Sequence, residues 1–305
     1  MRDLKSTDLP EKDLRSYAEE SSASLPSLRM EAENAVTSVL HGEHAQSKPG
    51  AGEKFWQYRE YVPGDRPQDI DWRQTAKTEH VFIKQKEWQT PQSIIFWCNQ
   101  NASMAFQSVS AIASKSHDAR VLTLALALLM VRAGEKVGLF ASRKIGRSEN
   151  TLLDMEVKLT QDIRSTAPLA DFTLADLPKN ASFVQIGDFL EPLEKIEDNF
   201  KQFTGRASGG LIVQVLDPAE LDLHYNGRVL FQGTGEKQQI DNVASIRAQY
   251  KERINAHNKA LEQLCREYGW HYYLHRTDRA IKETLTHIRT LLSYENLGPL
   301  AERIQ

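Results

Sequence analysis

Cysteine is nearly absent from the chain: Cys98 and Cys265 are the only two in 305 residues. They lie far apart in apolar segments, which excludes a disulfide framework or a cysteine-rich zinc site and predicts buried free thiols. Long apolar runs are also missing. The most apolar one, Val121 to Val131, is about half the length a bilayer-spanning helix needs, and it fits the buried helix of an α/β sheet. The opening, MRDLKSTDLPEKDLRSYAEESS, has no apolar core of the kind a signal peptide needs. A cytoplasmic protein without a membrane span is therefore expected. Charge of neither sign dominates, since the formal net charge is only -3, which gives no general reason to expect nucleic acid as a partner. Sequence repeats and low-complexity tracts are lacking too.

What is present falls into three parts. Residues 1–45 form a polar tail followed by a helical pattern from Leu28 to Leu40, with Met30, Ala32, Val36 and Val39 to Leu40 available for one face. Residues 46–90 carry a dense aromatic and charged stretch ending in a strand from His80 to Lys86, and predict a small antiparallel β extension. Residues 91–305 alternate strands and helices, the pattern of parallel βαβ units. Strands are expected at Ile94 to Cys98, Val137 to Ala141, Ser182 to Ile186, Leu211 to Leu216 and Trp270 to His275. Helices are expected at Asp118 to Ala133, Leu152 to Ile163, Leu193 to Phe203, from an Asp241 cap to before Gly269, and at Arg279 to Leu292. Tyr225-Asn226-Gly227-Arg228 has the residues of a hairpin turn between strands Leu221 to Tyr225 and Val229 to Gln232, so 218–238 could join the β extension. The fold class expected is α/β: a doubly wound, mostly parallel sheet with a small antiparallel extension.

The stretch from Gly50 to Lys77 is the most distinctive. Pro63-Gly64-Asp65 is a strong turn signal, because proline presets its own φ and glycine accepts a positive one. Around it, Phe55, Trp56, Tyr58, Tyr61 and Trp72 are interleaved with Arg59, Glu60, Asp65, Arg66, Asp69, Asp71 and Arg73. Arginines and aspartates so placed can form bidentate ion pairs that brace a sheet corner, or can bind an anion.

Tyr61-Val62-Pro63-Gly64-Asp65 with Asp69-Ile70-Asp71-Trp72-Arg73 resembles the bacterial "domain of unknown function 58" family. The resemblance continues through Lys84 to Glu87, Ser103-Met104, Gly187-Asp188-Phe189-Leu190, Asp217-Pro218-Ala219-Glu220, Gly269-Trp270-His271 and Thr277-Asp278. It implies a von Willebrand factor A-like fold and, as partner, a MoxR-type AAA+ ATPase. It also implies where to look for a metal-dependent adhesion site, which in von Willebrand factor A domains uses Asp-x-Ser-x-Ser with a later Thr and Asp to hold Mg²⁺. Aligned on Ser103-Met104, the first Asp position is Asn99 and the first Ser position is Asn101. Ser103 keeps its residue, and Asp188 matches the later acid. Losing an aspartate beside a divalent ion removes, at about 4 Å and an effective dielectric near 20, roughly 8 kcal/mol of attraction before desolvation. The expectation is a degenerate adhesion site with Ser103 and Asp188 as remaining ligands and Mg²⁺ bound weakly or not at all.

Other chemistry has thinner support. Gly50-Ala51-Gly52-Glu53-Lys54 and Gly233-Thr234-Gly235-Glu236-Lys237 lack the order of a phosphate loop and are expected to be turns. His41 with His44, and His271 with His275, have no evident third ligand, so solvent or core histidines are expected. No nucleophile, base and oxyanion site can be assembled, which favours a non-enzymatic protein-interaction module over a metal-dependent hydrolase or phosphoryl-transfer enzyme built on Asp188. A pure scaffold whose altered loop binds no cation is the third reading.

Overall fold

The computed structural model describes residues 27–40, 55–62, 65–78, 80–86, 92–140, 142, 144–161, 178, 181–203, 207–232 and 237–294. The chain divides into two compact units, Glu43–Pro91 and the remainder, Met1–Gly42 with Gln92–Gln305.

The larger unit is a doubly wound α/β fold around five parallel strands: β3 (Ser93–Cys98), β4 (Lys136–Leu139), β5 (Ala181–Gly187), β6 (Ala207–Leu216) and β9 (His271–Arg276), in the spatial order β4-β3-β5-β6-β9. These strands read as near-continuous apolar runs because both faces are covered, as parallel sheets require. Alternation still sorts the faces. Ile94, Phe96 and Cys98 pack with helix α1 (27–40), α3 (Lys115–Arg132), α4 (Glu149–Thr160) and α8 (Ile281–Tyr294), in a mainly aliphatic core. Ile95 and Trp97 face α5 (Leu193–Phe203) and α7 (Val243–Glu267) in an aromatic core. There Trp270 lies parallel to Phe183 with ring centroids 6.4 Å apart and meets Phe200 at 4.6 Å. Gly210 makes room for it, since an added Cβ would come within 2.4 Å of the indole. Both cysteines are free and buried, and burial pushes their thiols up, Cys98 to about 11 and Cys265 to about 12.

Most elements fall where periodicity places them, with ends shifted by a few residues. Ser114 caps α3 by accepting the His117 N–H, which starts the helix three residues earlier than Asp118. Two expectations are overturned. Asp241 does not cap α7, whose N-cap is Asn242 with no side-chain cap bond, and the Asp241 carboxylate pairs with Arg228 instead. Leu221 to Tyr225 is not a strand, because Pro218–Asp222 forms a short helix, α6. Its cause is local: Asp217 caps the Ala219 N–H, Glu220 returns to the Asp217 N–H, and Pro218 fits the first turn. The partner of β7 (Val229–Gln232) is β8 (Lys237–Ile240), antiparallel, in a two-stranded sheet separate from that of β1 (Phe55–Glu60) and β2 (Phe82–Lys86).

In the smaller unit, β1 (Phe55–Glu60) pairs antiparallel with β2 (Phe82–Lys86), and Tyr58 meets Phe82 edge-on at 6.4 Å. A single helical turn, α2 (Trp72–Thr75), lies between them in sequence. Asp71 caps it by accepting the Arg73 and Gln74 N–H groups.

Candidate functional site

The chain leaves β3 outward to form edge strand β4, then returns to the other side of β3 to form β5. Connections diverging from adjacent strands open a crevice at their carboxyl ends, the place where open α/β sheets present their functional groups. Here that switch point lies between the loops that follow Cys98 and Gly187. The register sets Cys98 opposite Ile186, and the Asn99 N–H bonds the Ile186 carbonyl at 2.7 Å, so residues 99 and 188 emerge side by side.

Asn99 and Asp188 are both buried, and Asn99 Nδ2 donates to Asp188 Oδ1 at 3.1 Å. The orientation of the amide is fixed, because Asn99 Oδ1 accepts the Asn101 backbone N–H at 3.0 Å. Asn99 thus turns a donor, not an oxygen, toward the carboxylate. Gly187 permits the approach, since a Cβ there would sit 2.8 Å from that of Asn99.

Sequence reasoning passed over the third member, Lys115. Its side chain is fully buried, and Nζ donates to Asp188 Oδ2 at 3.2 Å and to Glu220 Oε1 at 2.6 Å. These contacts span 73 and 105 residues of chain. A hint existed: Lys115 is the first residue of α3, where the helix dipole disfavours a cation unless a carboxylate answers it. Glu220 is held in turn by the Asp217 N–H at 3.0 Å, and the buried Asp217 carboxylate accepts the Ser108 N–H at 2.7 Å. Burial pushes the Glu220 carboxyl above its ordinary range, Lys115 pulls it back, and the Asp188 charge adds to the rise. Nearby, Glu191 is raised by burial first and by Asp188 second.

The loop after β5 is pinned from behind. Phe189 adopts φ 47°, a conformation rare outside glycine. It is held by Gln214 Nε2 on the Asp188 carbonyl at 2.9 Å and by His257 Nε2 on the Phe189 carbonyl at 2.7 Å. The loop after β3 is fixed to the ends of β6 and β9, through Ser108 on Asp217 and the Ile112 N–H on the Thr277 carbonyl at 2.8 Å. On the same two loops, Phe106, Val109, Ile112 and Leu190 are exposed.

Of the residues expected at this site, Asn99 and Asp188 meet directly and Asn101 joins through its backbone. The side chains of Asn101 and Ser103 are exposed, while Met104 beside them is buried. In the smaller unit, Arg59 forms a bidentate pair with Asp65 at 2.9 and 2.8 Å, and Asp65 also accepts the Val62 N–H. Asp71 spends its oxygens on the α2 cap and on the Tyr58 hydroxyl at 3.2 Å. Arg66, Arg73, Tyr61 and Trp72 are exposed, Trp72 at 66%. Gly64, the side chain of Asp69, residues 41–54 and residues 233–236 lie outside the described residues, and with them both glycine-rich turns and His41 with His44.

One arrangement looks catalytic on paper. His275 contacts Asp118 Oδ2 at 3.0 Å and Thr284 Oγ1 at 2.7 Å, an acid–base–hydroxyl relay. All three side chains are buried at the junction of α3, β9 and α8, so the relay ties helices to the sheet and meets no substrate. His275 is the core histidine the sequence leads one to expect. Among the described residues there is no cluster of three or more His, Cys, Asp or Glu able to hold a metal, and no helix long and apolar enough to cross a membrane.

Residues 57–260 match the model of the family described as Protein of unknown function DUF58. The chain belongs to this family. The DUF58 match takes in β2 and all but the first two residues of β1, both edge loops, Lys115 and Glu220. Uncharacterized proteins of Mycobacterium tuberculosis and Mycobacterium bovis are each 24% identical over 277 residues, covering 84% of this chain and 85% of theirs. Among solved structures, the conserved hypothetical protein BatB from Bacteroides thetaiotaomicron is 13% identical, covering 66% of this chain and 98% of that one with a TM-score of 0.34.

Proposed function

We propose that this DUF58 protein is a cytoplasmic, von Willebrand factor A-like interaction module that docks a partner protein on the carboxyl edge of its parallel sheet. The observation that carries the proposal is the pairing of exposed apolar side chains, Phe106, Val109, Ile112 and Leu190, with a base in which buried Asn99, Lys115 and Asp188 are hydrogen-bonded to one another. Single exposed apolar residues are ordinary, but several on two loops of one sheet edge favour a binding surface. Rigid anchoring lowers the entropy lost when such loops are captured. The von Willebrand factor A reading is supported by the convergence of Asn99 and Asp188, the two positions that the resemblance aligns with adhesion-site ligands. As partner, the family resemblance suggests a MoxR-type AAA+ ATPase acting in assembly or maturation of a protein complex. The hydrolase reading has less support: both oxygens of Asp188 are occupied, by Asn99 and Lys115, and the residue is buried.

The test is a binding assay between the purified chain and the MoxR-type ATPase of the same cell. Replacing Phe106, Ile112 and Leu190 together by serine is expected to weaken binding at least about tenfold, the loss of roughly 1.4 kcal/mol of apolar burial, while the melting temperature holds. Absence of binding by the wild type would remove this partner. Undiminished binding by the triple variant would move the docking surface elsewhere.

A further inference from the structure

The position of Lys115 Nζ carries a conclusion that does not depend on which partner docks. We infer that the Lys115 ammonium is the resident cation of this edge: it occupies, tethered to α3, the place between the two loops that a divalent ion would otherwise fill. Four observations converge on it. The ammonium bridges one carboxylate from the loop after β5 and one from the α6 cap, at 3.2 and 2.6 Å. It is fully buried, and its two partners are buried or nearly so. Asn99, at the first adhesion-site position, turns Nδ2–H and not its oxygen toward Asp188, while that oxygen accepts the Asn101 N–H, so a donor stands where an adhesion site has a carboxylate oxygen. Ser103, the motif's surviving hydroxyl residue, is exposed.

The donor set therefore does not fit Mg²⁺, which demands near-octahedral oxygen ligands at about 2.0–2.1 Å. The carboxylates are instead spaced for N–H···O bonds around a compact point charge with three donors. A tethered cation does not dissociate. It holds Asp188 and Glu220 together at any divalent concentration, so the loops that carry the exposed apolar side chains are permanently arranged, and docking does not require a ligand carboxylate to complete a metal's coordination shell.

Thermal unfolding and titration calorimetry with Mg²⁺ and Mn²⁺ test this on the whole chain. The wild type is expected to melt at the same temperature in chelator and in millimolar divalent ion, with no binding heat. A divalent-dependent rise of several degrees in the wild type would overturn the inference. Lys115→Ala vacates the ammonium's place beside two carboxylates, so Mn²⁺ is expected to raise its melting temperature by several degrees relative to chelator; a variant indifferent to the ion would also overturn it. Should Lys115→Ala fail to fold, Lys115→Met keeps the volume and removes the charge. It is expected to melt about 6–20 °C below wild type, as breaking a buried pair in a chain of this size implies. Lys115→Met with Asp188→Asn should recover part of that loss, and a double variant no more stable than Lys115→Met alone would show that the ammonium does not serve as counter-cation.

Discussion

Two ion-pair systems in this protein invite comparison, Arg59–Asp65 in the smaller unit and Lys115–Asp188–Glu220 at the sheet edge. The first joins residues six apart in sequence, is bidentate, and leaves both side chains in contact with solvent. The second joins residues 73 and 105 apart, with the lysine fully buried. Geometry alone would rank Arg59–Asp65 as the better bond. Burial reverses the ranking of consequences. An exposed pair that loses a partner is rehydrated and costs little, whereas a buried charge that loses its partner stays in a medium that solvates it poorly. Charges visible in a signature are thus not the ones on which the fold depends most.

The largest expected effect follows directly. Asp188→Ala strands Lys115 with only Glu220 and leaves the Asn99 Nδ2 donor without its acceptor, so urea unfolding should show a loss of about 3–5 kcal/mol. A loss below about 1 kcal/mol would break the comparison, placing the buried system on the same footing as a surface pair. Gly187→Ala attacks the same site through shape alone. Its new Cβ would press on Asn99 Cβ at 2.8 Å, and overpacking of this kind should lower stability by about 1–3 kcal/mol in the same measurement. Asp217→Ala removes the α6 cap and the acceptor for the Ser108 N–H, at an expected cost of about 1–2 kcal/mol. Faster amide exchange at Ser108 and Ala219 in that variant would locate the damage.

Arg59→Ala should be the mildest, leaving the unfolding midpoint of the larger unit unmoved, and its signature should be a titration. The hydrogen bonds from Arg59, then that from the Val62 N–H, hold the Asp65 carboxyl below its ordinary range. A depressed acid contributes stability above its unfolded value and loses it as pH falls through the folded one. Glu220 runs the other way: burial, its largest influence, raises it, so ionising it opposes folding as pH climbs through the raised value. Carboxyl carbon shifts followed against pH should place Asp65 below and Glu220 above the usual carboxylate range. In Arg59→Ala, Asp65 alone should return toward it. Coincident midpoints for the two groups in the wild type would contradict the contrast.

How far each feature could be read from the chain depends on the range of the forces behind it. The strand run Ile94 to Cys98 and the helix around Val121 to Met130 were legible because burial on nearly every side leaves an unbroken apolar run whose length separates strand from helix. The short helix Pro218–Asp222 was legible in principle, since Asp217, Pro218 and Glu220 spell out a capping box, but the Asn226-Gly227 pair downstream offered a competing turn. Asn99 and Asp188 could be paired only as positions of a resemblance. Their contact required strand register, Cys98 opposite Ile186, which neither loop encodes by itself. Lys115 was illegible as a member of that site. In Ser114-Lys115-Ser116-His117 it reads as an ordinary solvent lysine at a helix start, and only the dipole mismatch hints otherwise.

The amino-acid order thus determined by itself the alternation of strands and helices, the parallel sheet they imply, and the two cysteines kept as buried thiols. Each arises from residues a few positions apart, or from the burial preference of a single side chain. Tertiary structure alone decided which charges meet. Bringing Lys115 to Asp188 and Glu220 takes three loops converging at one sheet edge, and the energy of that meeting comes from the exclusion of water by everything packed around it.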